Sequence, residues 1–398
     1  MKKQRYLLIL SFLIILIPCL KAQKKEIQQA ETIIKSGKNL EKAEQQMRML
    51  LSDSVNRRNL KIWNTMTTAV RAQYLQGNER MYLRQKQDTA ALFKLALKMF
   101  RDYQSMDSID ALPDKKGRIR IKYRENHSGF LSGYRPNLYN GGVFFLRRNN
   151  YQEAFTMFDA FLDCQRQPLF ENRHFENDPL NPTAAFWTVL CGYQLGNPSM
   201  ALKHKDLALQ DTVRLENCLQ YLAEIYKMQS DKQSYEQTLV DGFEHYPNSS
   251  YFFPRLIDHY SSTNQRERAM TIVDEALAAN DSSELFIFAK SKMLLNQGDY
   301  DACIALCDTL IARNDTLADA YYNAGVAYVN KAFLIEKGKV GAKQRKQMRE
   351  LYQKALPYME RYRALAPHEK DKWAAALYNI YLKLNMGREF EEIDRMLR

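Results

Sequence analysis

Glycine is scarce in this chain, 15 residues of 398, against an average usage of about 7%. So little of it excludes a chain rich in tight turns, and an all-helical fold is the economical expectation. Beyond the first twenty residues no stretch is apolar enough to span a bilayer, which takes about 20 apolar residues. The short signatures of catalysis are missing as well: there is no phosphate loop, no nucleophile elbow and no zinc-binding histidine pair. The six histidines, His127, His174, His204, His245, His259 and His368, are scattered, none three or four residues from another on one helix. Carboxylate neighbours such as Glu391 and Glu392, or Glu176 near Asp178, lack the apolar setting that would shift a pKa for acid–base work. No catalytic residue, metal-ligand set or cofactor site is therefore expected.

The N-terminus carries what the rest lacks. Met1-Lys2-Lys3-Gln4-Arg5 is basic, Tyr6 to Leu20 is apolar, and Ala22 is a small residue at a cleavage position. This is the layout of a secretory leader, giving residues 1–22 as signal peptide and an exported product in the periplasm or at the outer membrane. Leu20 is larger than the peptidase prefers two residues before Ala22. The alternatives are a lipoprotein attached at Cys19, which Pro18 disfavours, and an uncleaved membrane anchor. Removing Lys2, Lys3, Arg5 and Lys21 takes four positive charges from the net +12 and leaves +8.

Export implies an oxidising compartment, yet five cysteines remain after cleavage: Cys164, Cys191, Cys218, Cys303 and Cys307. An odd number leaves at least one unpaired. Cys303 and Cys307 lie four apart on an expected helix, with Cβ atoms about 5–6 Å apart, beyond the usual disulfide separation of about 3.8 Å. Buried core thiols are the expectation.

What is present is a repeat. Leu219, Leu222, Ala223 and Tyr226 recur thirty-four residues on as Phe253, Leu256, Ile257 and Tyr260. Ile287, Ser291 and Leu294 follow in frame, then Tyr321, Ala324, Gly325 and Tyr328. A second helix per unit shows in Ala269, Val273 and Ala276 and in Cys303, Cys307 and Leu310, whose spacing of four and three keeps them on one face. Gly196-Asn197-Pro198 and Gly298-Asp299-Tyr300 mark turns between paired helices. An earlier unit presents Leu138, Gly142 and Phe145 opposite Ala154, Phe158 and Phe161.

The period and these residues resemble the tetratricopeptide repeat family over about Arg135 to Arg398. Departures are Tyr235 where the family prefers alanine, Lys205 and Lys290 at packing positions, and about eighteen extra residues between Tyr328 and Ala355. The resemblance implies a right-handed α-solenoid of antiparallel hairpins. The array 135–398 divides into units near 135–168, 182–215, 216–249, 250–283, 284–317, 318–369 (with an insertion at 329–346) and 370–398. Residues 23–112 read as degenerate hairpins, Ile27, Ala30 and Ile34 facing Ala43, Met47 and Leu50, then Trp63, Met66 and Val70 facing Ala96, Phe100 and Tyr103. Residues 113–134 read as a connector, because Arg118 to Arg124 alternates like a strand or an extended crossover.

Because one hairpin cannot bury its apolar face alone, hairpins stack, and the resemblance implies a groove lined by the first helix of each unit. Its expected partner-binding residues are Tyr139, Phe186, Tyr193, Phe288, Tyr322, Tyr378 and Tyr381, with Phe288 and Tyr322 as a shared aromatic surface. Family members that clamp acidic chaperone tails carry lysine and asparagine where Tyr139, Val143, Phe186 and Leu190 stand here, so apolar or mixed protein partners fit better. The expected function is a non-catalytic protein-binding scaffold of the bacterial cell envelope. The alternative is a carbohydrate-binding or glycan-processing envelope protein, since glycosidase carboxylates can lie far apart in sequence. Two basic clusters, Lys115 to Arg124 and Lys337 to Lys346, suit solvated loops or an anionic surface rather than nucleic acid, because an exported chain without a stacking motif for single strands has little use for the latter.

Overall fold

A computed structural model describes residues 23–114, 116–338 and 341–397. The leader, its cleavage site and Cys19 lie outside the described residues, as do Lys115 and Lys339. The described residues contain helices and turns and no strand.

The chain forms successive antiparallel hairpins, and a single turn recurs to make them. Gly196, Ser230, Asn264 and Gly298, thirty-four residues apart, each adopt the left-handed backbone conformation, with φ of 59°, 58°, 58° and 86°. Such a residue ends a helix by turning its last carbonyls inward. The next residue then starts the second helix: the side chains of Asn197, Asp231 and Asp299 accept hydrogen bonds from the backbone N–H groups of Met200, Ser234 and Ala302, satisfying donors that a helix start leaves free.

The hairpins so defined are α6 (Pro136–Leu146) with α7 (Tyr151–Asp163), α8 (Asn181–Gln194) with α9 (Pro198–Leu202) and α10 (Lys205–Ala208), and α11 (Leu215–Met228) with α12 (Lys232–His245). They continue as α13 (Phe252–Ser262) with α14 (Arg266–Ala279), α15 (Glu284–Gln297) with α16 (Tyr300–Arg313), α17 (Ala318–Glu336) with α18 (Ala342–Leu365), and α19 (Lys370–Leu384) with α20 (Gly387–Leu397). Before them come α1 (23–36) with α2 (Leu40–Ser52), and α3 (Leu60–Tyr82) with α4 (Thr89–Asp110). Ile27, Ala30, Ala43, Met47 and Met66 close one N-terminal core; Val70, Ala96, Phe100 and Tyr103 belong to the next.

Three sequence expectations change. The connector is helical in part: α5 (Arg124–Ser132) occupies its second half, and the alternation at Arg118 to Lys122 reflects exposed residues rather than a strand. The insertion is not a loop, since α17 and α18 simply run on, to 19 and 24 residues against 14 in α15 and α16. The compact division of the chain falls at Tyr246 and Pro247, inside the array rather than at the connector.

The misfit lysines find polar partners instead of core. Lys205 donates to the Tyr226 hydroxyl at 3.2 Å, and Lys290 pairs with Asp274. Where helices cross closely only glycine fits: a Cβ on Gly192 would lie 2.2 Å from the Ala201 backbone nitrogen, and one on Gly142 2.6 Å from the Phe158 ring. All five described cysteines are buried and unpaired.

Candidate functional site

In the second unit the repeat frame breaks its own packing rule at one residue. The position that carries Val189, Ala223, Ser291 and Gly325 in other hairpins is buried each time, and a Cβ on Gly325 would meet the Met359 sulfur at 2.5 Å. In α13 the same position is Ile257, which stays half-exposed. Helix α14 also packs more sparsely on α13 and α15 than α16 does on α15 and α17.

A cavity of about 220 Å³ opens between α13 and α15, with Ile257 in its lining. Phe253 and Phe286, with ring centroids 4.7 Å apart, hold the two helices together at their N-terminal ends. Farther along, Ile257, Leu285, Phe288, Ala289 and Met293 form an apolar floor, with Asp258, Lys292 and Asn296 on the rim. A second cavity of about 350 Å³ continues past Ser261 and Asn296 to Arg266. Among the described residues, Asp258, Lys292 and Asn296 make no side-chain hydrogen bond or ion pair. An apolar floor with unengaged polar groups at its edge is the usual make-up of a site that takes a ligand.

The seven expected groove residues separate on this geometry. Phe288 lines the cavity. Tyr322 does not join it: its ring packs on Tyr362 at 5.0 Å, so the shared Phe288–Tyr322 surface does not form. Phe186 and Tyr381 are core residues, 3% and 2% exposed, because first-helix rings here fill the seams between hairpins. Tyr139 is half-buried against Phe158 and Phe161 within its own hairpin, and Tyr378 against Phe390. Tyr193 meets a neighbour from the next first helix, stacking on Tyr221 of α11 at 5.0 Å and 26°. That cross-hairpin pair was missed in the sequence at Tyr221, which lies outside the positions the family pattern presents to a groove.

Most of the buried thiols among the described residues are poor nucleophiles. Burial pushes the thiols of Cys164, Cys191 and Cys218 up to about 12, so they stay protonated and weakly nucleophilic. Cys303 is pushed up too, first by its contact with Cys307 and then by burial. Asp159, Asp163 and His204 come close enough to share a metal ion, a set invisible in sequence because α7 and the α9–α10 break supply it. The Lys203 ammonium already stands there, 2.5 Å from Asp159 and 3.4 Å from Asp163, with His204 Nε2 2.8 Å from Asp159. Burial raises the Asp159 carboxyl and the bonds from His204 and Lys203 more than reverse it, leaving a net lowering. This is a neutralised cluster of charges, and it sits where the second helix of that hairpin breaks at His204.

The two basic clusters also part. Arg118 pairs with Asp114 at 3.1 Å, and Arg124 with Asp107 and Glu171 at 2.9 Å each, so much of the connector's charge is structural. Lys337, Lys343, Arg345 and Lys346 are exposed.

No family model and no curated protein matches the chain. Among solved structures it is similar to the C-terminal part of a TPR repeat-containing protein from Cytophaga hutchinsonii, at 11% identity over 64% of this chain and 92% of that one, TM-score 0.43. It is similar also to PilF of Pseudomonas aeruginosa (16%, 69% and 100%, TM-score 0.33) and to YrrB, described as a TPR protein with an unusual peptide-binding site (18%, 50% and 96%, TM-score 0.33). With its turns recurring every thirty-four residues and small residues at its helix crossings, the chain is built of tetratricopeptide-type helical hairpins.

Proposed function

We propose that this chain is a non-catalytic scaffold that holds a peptide or helical segment of a partner protein, and that it does so in the bacterial cell envelope after export. The observation that carries the binding role is the α13–α15 groove, where an apolar floor is edged by polar groups with no partner of their own. Apolar side chains of a bound segment would enter between Ile257 and Phe288, gaining about 25 cal/mol per Å² removed from water, while Asn296 and Lys292 are placed to meet backbone carbonyls. The leader-like N-terminus supports the envelope assignment.

Photo-cross-linking from position Leu285 in living cells tests this. Adducts with defined protein segments are expected, and an Ala289→Arg change that fills the groove should abolish them. Recovery of glycan alone, or hydrolytic activity of the purified chain, would favour the carbohydrate reading and contradict the scaffold.

A further inference from the structure

The extended end of the α17–α18 hairpin differs from the rest of the second unit in how its charge is handled. Elsewhere in that unit several basic side chains are matched, Lys290 with Asp274, Lys331 with Asp301, Arg363 with Glu392 and Lys383 with Glu336, while isolated ones such as Lys292 are not. Toward the end of the extension Lys337, Lys343, Arg345, Lys346 and Arg349 are exposed and pair with no described acidic group. Of the acids nearby, Glu336 is taken by Lys383, and Glu350, next to Arg349, is exposed, leaving the cations in excess. Lys337 instead holds its ammonium 4.8 Å from the centroid of the Phe333 ring.

Two large apolar side chains share this end. Phe333 is 50% and Leu334 55% exposed, although the same helices bury Ala332, Met348, Leu351 and Tyr352 one turn away. The extension is thus firmly packed at its base and leaves adjacent aromatic and aliphatic groups in water at its end. None of the cavities described above lies there, so these groups do not line a pocket shaped for one ligand.

From this juxtaposition we infer that the end of the α17–α18 hairpin docks on the surface of an anionic lipid bilayer. Each Lys or Arg held near such a surface adds to the attraction. Phe333 and Leu334 would enter the boundary between headgroups and acyl chains, with the lysines reaching back to the phosphates. A duplex nucleic acid would use the cations but give Leu334 no apolar phase to enter, and an acidic protein would match the cations without requiring both Phe333 and Leu334. This role is independent of the α13–α15 groove, so failure of one leaves the other standing.

Flotation with vesicles tests it, using the chain purified from the exported fraction. Vesicles of phosphatidylcholine with phosphatidylglycerol should capture the chain at least about tenfold better than phosphatidylcholine alone, and 0.5 M salt should weaken capture, since screening shortens the reach of surface charge. Reversing charge with Lys343→Glu, Arg345→Glu and Lys346→Glu should lower capture by about tenfold or more. Phe333→Ser with Leu334→Ser should lower it independently. Both variants alter exposed side chains, and circular dichroism checks that helicity is kept. Equal capture by neutral and anionic vesicles, capture unchanged in either variant, or tighter retention on duplex DNA or polyglutamate than on anionic vesicles would overturn the inference.

Discussion

Ser230 stands where its three repeat-mates, Gly196, Asn264 and Gly298, are glycine or asparagine, residues that tolerate a left-handed backbone. For a residue with a Cβ that conformation costs about 1–2 kcal/mol. Ser230→Gly should therefore raise the stability of the first unit by about 1 kcal/mol, read as a higher urea midpoint with unchanged slope. A drop in the midpoint would show that the serine side chain contributes more than its backbone costs. His127 makes a second residue-scale case. Its ring lies between Tyr103 and Tyr123, edge-on to the first and stacked on the second. Burial holds its imidazolium below the ordinary range against the pull of Asp110 and Asp107. The folded pKa is depressed, so the stability tied to His127 is complete above the unfolded value of about 6.5 and is lost as pH falls from there toward the folded value. His127→Phe should keep the ring contacts and flatten that part of the pH profile. An unchanged slope in the variant would assign the pH dependence elsewhere.

At the scale of the element, α13 is where the repeat is loosest. Ile257 is half-exposed at a position its repeat-mates bury, so Ile257→Ala should cost less than about 1 kcal/mol, whereas Leu222→Ala in α11, at 2% exposure, should cost about 2–5 kcal/mol. Comparable losses at both sites, measured by denaturant unfolding, would mean that Ile257 is core and that the groove is closed in solution. Helix identity was legible from sequence because Leu219, Leu222 and Tyr226 repeat at helical spacing and a fixed phase. Helix α5 was not, because the alternation at Arg118 to Lys122 lies in exposed residues that no packing face constrains. The contact of His204 at the helix break was likewise hidden, since its partner, Asp159, is 45 residues away.

At the scale of the whole molecule, the units of the array follow from the thirty-four-residue frame, while the site does not. Seven aromatics at inner-wall positions looked equivalent in sequence, yet packing buries Phe186 and Tyr381, ties Tyr322 to Tyr362, and leaves Phe288 on the cavity. The deciding fact is local packing: Ile257 is half-exposed where Val189, Ala223, Ser291 and Gly325 are buried. That residue was visible all along, but its consequence depends on how two helices respond to it. Stability in stacked hairpins is a sum of neighbour contacts, so a weak seam can be carried where a partner is to be admitted.

The claim that this chain holds a protein segment between α13 and α15 is tested most directly by calorimetry with a peptide selected on the full chain from a displayed library. The selected peptide should bind the unaltered chain and bind the Ala289→Arg variant at least about tenfold more weakly, a loss of about 1.4 kcal/mol, while both retain the same helicity and urea midpoint. Equal affinity for the two chains would place the binding site elsewhere and contradict the assignment of the groove.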